Sequence, residues 1–324
     1  MTYKLDAINR RILYELDKNC RISDNQIAKI VRRSREAVRN RIHKLQQDGI
    51  IQGFITSINP SKCGYLFFKL YFQLANIPAE REKFYEYLKK LPGLYWFGGN
   101  EGTWDLHGTF YAQSVIEFNT LKNKIYTDFK HLILRRDIGV LVNARQYLKK
   151  YIVDDLSERL PPAIYAGEIV PYDLDELDKK IVSILSQQAR IHLVELAQKT
   201  ASTIDVVRSR MKKLEQQGLI IQYRIALNHT KLGYQMYKAL VYMNNITDAD
   251  ERKFMEYATQ SQHIIYFIRQ LSNWDLELEI MARNYEEFTH IINDIRLQFV
   301  DTIRNVEFVL MREDIFLFGE REIF

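Results

Sequence analysis

Apolar residues recur at helical spacing over the first 50 positions: Ile8, Ile12, Leu13 and Leu16 form one stripe, Ile27, Ile30 and Val31 a second, and Val38, Ile42 and Leu45 a third. Three short helices are expected. Ser23 with Gln26 has the form of a capping box at the start of the second, and Ser34 is placed to cap the third. Gly49 suits a helix C-cap, after which IIQGFITSI alternates like a short hairpin arm. Three helices followed by a β wing predict a winged helix-turn-helix. The pattern then changes. YLFFKLYFQL (65–74) is strand-like, REKFYEYLKKL (81–91) helical, LYWFGGN and TWDLHGTFYA (94–100 and 103–112) a hairpin, and VIEFNTLKNKI (115–125) helical. A last strand lies within IGVLVNARQYL, which completes the βαββαβ order of a ferredoxin-like domain.

The same pattern occurs twice. LDAINRRILYEL from Leu5 returns as LDELDKKIVSIL from Leu174, a shift of 169, and Arg21, Ala28, Arg39, Gly49 and Gly64 answer to Arg190, Ala197, Arg208, Gly218 and Gly233. Further on, GTWDL answers to SNWDL at a shift of 170, so one residue has been gained or lost between them. The expected class is α+β, with a first winged helix-turn-helix over 1–60 and a first ferredoxin-like regulatory and dimerisation domain over 61–153. A linker over 154–172, marked by Pro161, Pro162 and Pro171, leads to a second winged helix-turn-helix over 173–229 and a second ferredoxin-like domain over 230–324.

Charge sharpens the reading of the third helix. The stretch from Arg32 to Gln47 carries six basic residues and one acidic, a balance of +5 that equals the net charge of the whole 324-residue chain. With Val38, Ile42 and Leu45 buried, the opposite face holds Glu36, Arg39, Asn40, His43 and Lys44. Arginine is suited to guanine and asparagine to adenine, and the first turns of such a helix enter the major groove. Arg32, Arg33, Arg35 and Lys44 suit phosphate contacts that set register, with Ser34 at the helix start. In the second copy Thr203, Arg208, Ser209, Lys212 and Lys213 take the corresponding places. The balance from Ala201 to Gln217 is only +2, and the counterparts of Arg33 and Arg35 are missing. Double-stranded DNA is the expected partner, with the first head dominating.

LDxxxRxILxxL, RIS before QIA, the basic helix ending in KLQQDGIIQGF and the following NPxxxG together resemble the Lrp/AsnC family of bacterial and archaeal transcription regulators, over nearly the whole chain and twice. The resemblance implies that the helix-turn-helix binds DNA, and that the βαββαβ domain forms dimers and holds an amino acid or similar small effector. In a tandem chain the dimer becomes an intramolecular pseudo-dimer, and further homo-oligomers are expected. Gly102 to Asp105 resembles the family's glycine-x-x-aspartate segment. Asp105 is thereby a candidate for an effector ammonium, and the backbone around Gly98, Gly99, Asn100, Gly102 and Thr103 for its carboxylate. In the second copy Ser272 replaces that glycine, and Asp275, Glu277 and Glu279 share one strand face, so a more acidic pocket is expected there.

Paired domains of this architecture also occur in siroheme decarboxylases, which resemble these regulators but act on a tetrapyrrole through histidine and arginine. His107 shares a strand face with Asp105 two residues away, so a small polar site can be drawn, although Glu277 stands where a matching basic group would be wanted. No P-loop, dinucleotide motif, metal-ligand cluster or nucleophile elbow occurs, so the expectation is no catalytic residue, no metal and no cofactor. The aromatics Tyr65, Phe67, Phe68, Tyr71, Phe72, Trp96 and Phe97 alternate as strand residues and are expected in sheet cores. Two cysteines without a pairing pattern and no long apolar run place the chain in the cytoplasm, away from membranes.

Overall fold

The computed structural model describes residues 2–153, 160–244 and 247–312 and the backbone of 315–316. In the first repeat, helices α1 (Ala7–Lys18), α2 (Asp24–Val31) and α3 (Arg35–Gln47) lead into strand β1 (Ile51–Ile58). Strand β2 (Leu66–Leu74), helix α4 (Pro78–Lys89), strands β3 (Leu94–Gly102) and β4 (Leu106–Ala112), helix α5 (Val115–Asp128) and strand β5 (Ile133–Gln146) follow. A short strand β6 (Ala163–Ala166) precedes the second repeat. That repeat runs α6 (Glu176–Gln187), α7 (Leu193–Lys199), α8 (Ile204–Gln216), β7 (Ile220–Leu227), β8 (Gln235–Met243), α9 (Asp248–Gln260), β9 (Ile264–Leu271), β10 (Leu276–Ala282), α10 (Tyr285–Gln298) and β11 (Ile303–Met311), with β12 (Ile315–Phe316) after it. No helix among the described residues is long and apolar enough to cross a membrane.

The expected hairpin wing is not what forms. β1 has no local partner; it pairs antiparallel with β7 of the other repeat, Ile55 opposite Arg224, so each helix-turn-helix contributes one strand to a shared two-stranded ribbon. A single strand exposes unpaired amides and carbonyls on both sides, and the duplicate supplies the partner. Backbone bonds repeat the exchange at each end. Asn59 donates to the Leu219 carbonyl and Asn228 to Ile50, while Tyr3 donates to Lys231 and Tyr172 to Lys62.

The sheets are joined in the same manner. Each repeat has the ferredoxin-like order, β5-β2-β4-β3 and β11-β8-β10-β9. β5 then pairs with β9, and the end of β11 with the end of β3, so the eight strands close on themselves into a barrel. Period-two alternation divides every strand between two environments. On β2, Phe68, Leu70 and Phe72 meet Phe84 of α4 and Phe118 of α5, while Tyr237, Ala239 and Val241 of β8 meet Phe254 of α9 and Phe288 of α10. The alternate residues Phe67, Lys69 and Tyr71, with Met236 and Lys238, turn to the interior between the repeats. Within the segment expected as a linker, β6 pairs with β5 and buries Tyr165; residues 154–159 lie outside the described residues. β5 itself starts at Ile133, earlier than expected, because the charged residues Arg135 and Arg136 are exposed while the backbone pairs with β2.

One ion cluster clamps the heads to the barrel. Asp17, fully buried at the end of α1, receives Nε and Nη2 of Arg224 on β7 at 3.1 and 2.6 Å and Nζ of Lys149 at 2.8 Å, along with the Lys149 amide. Burial by itself would raise the Asp17 pKa, but the two cations and their hydrogen bonds outweigh it and hold the carboxyl at about 2. Since the unfolded value is near 3.8, the stabilisation is complete above that pH and is lost as pH falls towards 2. Asp17→Asn is expected to cost about 3–5 kcal/mol in urea unfolding at pH 7, because it leaves Arg224 charged and buried. The cost should shrink as both proteins are titrated to pH 3; an unchanged difference would show that the carboxylate charge is not what matters.

Candidate nucleic-acid interface

The local chemistry of the first helix-turn-helix follows its sequence closely. Ser23 and Gln26 form the capping box of α2. Arg32 closes α2 in the left-handed conformation at φ 53°, a sharp reversal that lets Ser34 begin α3 by accepting from the Ala37 amide at 3.1 Å. Val38, Ile42 and Leu45 are buried, which rolls Arg32, Arg33, Ser34, Arg35, Glu36, Arg39, Asn40, His43 and Lys44 outward, all of them exposed. Arg41 is diverted to structure: it donates to Asp6 at 2.7 Å and Asn9 at 2.9 Å, tying α3 to α1.

The second head keeps the frame and alters the surface. Thr203 caps α8 through the Val206 amide at 3.3 Å, and Arg210 repeats the role of Arg41 on Asp175 and Asp178. Thr203, Arg208, Ser209, Lys212 and Lys213 are all exposed. Arg208, however, lies on Asp205 at 2.6 Å, and Lys213 lies 5.2 Å over the Tyr172 ring. Their cationic groups therefore have partners within the chain, and contact with phosphate would compete with those partners.

The glycine-rich hairpin is spent differently from the sequence expectation. One oxygen of Asp105 accepts the Leu74 amide at 2.7 Å and the other pairs with Arg81 at 3.0 Å, so an effector ammonium there would have to displace Arg81. Asp275 likewise accepts the Met243 amide at 2.7 Å. Gly98 and Gly99 are buried strand residues; a Cβ on Gly98 would come within 2.4 Å of the Trp96 ring and 3.0 Å of His107. Gly102, at φ 131°, sits where β3 meets Val309 of β11, with Thr103 just beyond in the turn. Asn100 bonds the His107 ring at 2.8 Å. Asp105 therefore belongs to the α4 side, and His107 to the barrel interior, stacked on Tyr71 and packed on Trp96. The two side chains therefore do not line one polar site.

Inside the barrel lies a network that the sequence reading did not foresee. Glu277, fully buried, accepts Lys69 at 2.5 Å, Gln270 at 2.6 Å, Lys238 and the Trp274 indole at 3.1 Å, and the Tyr71 hydroxyl. Lys238 also reaches Glu279 at 2.9 Å. The expected acidic pocket is thus neutralised, two lysines facing two carboxylates. Burial alone would raise the Glu277 pKa; Lys238 and Lys69 reverse that and hold it well below the usual range. Burial, then Lys238 and Lys69, push His107 far down, so its imidazole is neutral. The signal available in the sequence was a lysine standing in each of two apolar strand runs, YLFFKLYFQL and YQMYKALVYM.

Known proteins bear on both halves of the chain. The AsnC-type helix-turn-helix domain profile matches residues 5–46, and a winged helix-turn-helix DNA-binding profile matches 174–221. The HTH-type transcriptional regulator LrpA of Pyrococcus horikoshii is 36% identical over 127 residues, covering 84% of that protein and 37% of this chain. LrpB of Bacillus subtilis is 30% identical over 124 residues, covering 80% of its length and 38% of this chain. Among solved structures, the siroheme decarboxylase NirDL superposes with a TM-score of 0.63 over 95% of this chain and 91% of that one; at 13% identity this shows a common fold.

Gly98→Ala tests whether that glycine is a packing position. The added methyl would press on Trp96 and His107, and the expected loss is about 1–3 kcal/mol of unfolding free energy. A variant of unchanged stability would refute the packing role.

Proposed function

Because the chain belongs to the Lrp/AsnC family of transcription regulators, we propose that it is a sequence-specific DNA-binding regulator of transcription acting in the cytoplasm, with both recognition helices carried on one polypeptide. The observation that carries this reading is the outward face of α3, where Arg39 and Asn40 are exposed between flanking arginines while Arg41 is held back for the fold. Arg39 and Asn40 read base edges; Arg32, Arg33, Arg35 and Lys44 hold phosphates. The β1–β7 ribbon ties the two heads together, and a reciprocal contact reinforces it: Arg21 donates to the Ala189 carbonyl at 2.5 Å, and Arg190 to Asp24 at 3.0 Å. The spacing of the half-sites is therefore built into one chain.

The heads bind unequally in this proposal. α3 offers exposed arginines at its start, whereas α8 has Thr203, Ile204 and Asp205 there and engages Arg208 and Lys213 internally. For the enzymatic alternative the support is the fold shared with NirDL; the small polar site that His107 and Asp105 would have formed is divided between the barrel interior and the α4 side.

DNA fragments selected by the purified protein are expected to yield one motif with a strong and a weak half. Arg33→Ala with Arg35→Ala should reduce the slope of log affinity against log salt by about 2, and Lys212→Ala with Lys213→Ala by clearly less. Equal losses would reject the asymmetry. Arg39→Ala should cost about 1–3 kcal/mol and relax a single base position; failure to select any motif at low salt would reject the DNA-binding reading itself.

A further inference from the structure

Between the β1–β7 ribbon and the end of the barrel lies a cavity of about 330 Å³. It spans the pseudo-twofold relation of the repeats: Ile55 and Arg224 face each other in the ribbon register, occupy equivalent positions at the shift of 169, and both line it. The duplication has therefore made one side apolar and the other cationic. Tyr95, Tyr147, Tyr165 and Tyr266 supply much of the wall, and three of them also border a smaller cavity of about 60 Å³ running into the barrel interior past Lys69 and Lys238.

The polar lining is lopsided. Two cations, Arg224 and Lys149, line the cavity, and Asp17 pairs with both. Neither Asp nor Glu lines it among the described residues. Arg224 is 2% exposed; its Nε and Nη2 are committed to Asp17 and to the Tyr147 carbonyl, but Nη1 has no acceptor among the described residues. A buried guanidinium N–H without an acceptor is costly, and a carboxylate is the group that satisfies it best. A volume of this size is at the small end of ligand pockets, and the tyrosines with Met236, Ile265 and Met281 offer an apolar and aromatic surround.

We propose that this cavity binds a small monocarboxylate with an aromatic or branched apolar body and no ammonium group, its carboxylate on Arg224 Nη1 and its body among the tyrosines. An amino acid fits less well, because its ammonium would meet two cations and, among the described residues, no carboxylate in the wall. The site is separate from the hairpin around Asp105. It touches β1 and β7, the strands that directly follow α3 and α8, so an occupant contacts the element that sets the two heads against each other.

Calorimetric titration of the full chain with 3-phenylpropanoate tests the site without DNA, so its outcome is independent of the DNA-binding reading. One saturable site is expected, with L-phenylalanine about tenfold weaker or worse and phenethylamine silent. Arg224→Lys keeps a charge for Asp17 but removes the second arm, and should weaken binding about tenfold or more. Met281→Trp fills the cavity from the barrel side, leaves the Asp17 pair untouched and should abolish binding whether or not Arg224→Lys folds. Absence of saturable binding to the unmodified chain, equal affinity for L-phenylalanine, unchanged affinity in folded Arg224→Lys, or binding that survives Met281→Trp would each overturn the proposal.

Discussion

Strand edges govern this molecule. A four-stranded ferredoxin-like sheet ends in two edges, and a helix-turn-helix with a single following strand adds another; each exposes backbone donors and acceptors that must find partners. In this chain every one of those edges is met by the other repeat, through β5 with β9, β3 with β11 and β1 with β7. Barrel, ribbon and the placement of both heads all follow from that exchange. The Asp17 cluster then locks the exchange, because its three members come from α1, from the segment after β5 and from β7. A carboxylate that is fully buried fits only where its cations also fit, so the cluster selects one docking of heads on barrel among the many that apolar packing alone would allow.

Much of each repeat was legible because the information is local. Helical periods, the Ser23–Gln26 box, the Ser34 cap and strand alternation all act over a few residues, and the exposed face of α3 follows from burying Val38, Ile42 and Leu45. What stayed hidden is what depends on long-range pairing. Nothing in IIQGFITSI says that its partner lies 169 positions away rather than in a hairpin; both arrangements need the same alternation. Asp105 read as a free carboxylate since Arg81 reaches it only once α4 has packed. Glu277 and Glu279 looked like an acidic face because Lys69 and Lys238 arrive from other strands, two lysines that in isolation look like edge residues. Local helix signals also stand at Pro78 in the first turn of α4 and in the Thr247–Asp250 capping box of α9.

Fusion of two copies frees equivalent positions from being identical. In a dimer of single units, a change at the twofold axis appears on both sides at once, and two like charges facing each other across a dry interior would repel. In the tandem chain His107 and Glu277 hold equivalent places in the barrel interior, as do Asn100 and Gln270, each amide bonded to its own partner of the pair. One ionised carboxylate with one neutral imidazole can accept two lysines, where two carboxylates or two histidines would leave the charge unbalanced. The same freedom put Arg224 opposite Ile55 in the ribbon.

That freedom has a direction on the DNA side too. The frame of the second head is kept, since Arg210 holds Asp175 and Asp178 as Arg41 holds Asp6 and Asn9, so α8 remains a well-positioned helix. Two of its exposed cations are instead engaged within the chain, Arg208 by Asp205 and Lys213 by the Tyr172 ring. Loss of an unused helix would be expected to erode caps and core along with charge. Retention of both, with two of the cations engaged internally, is what the proposed inequality of the heads requires: a second helix held in position that contributes less of the affinity.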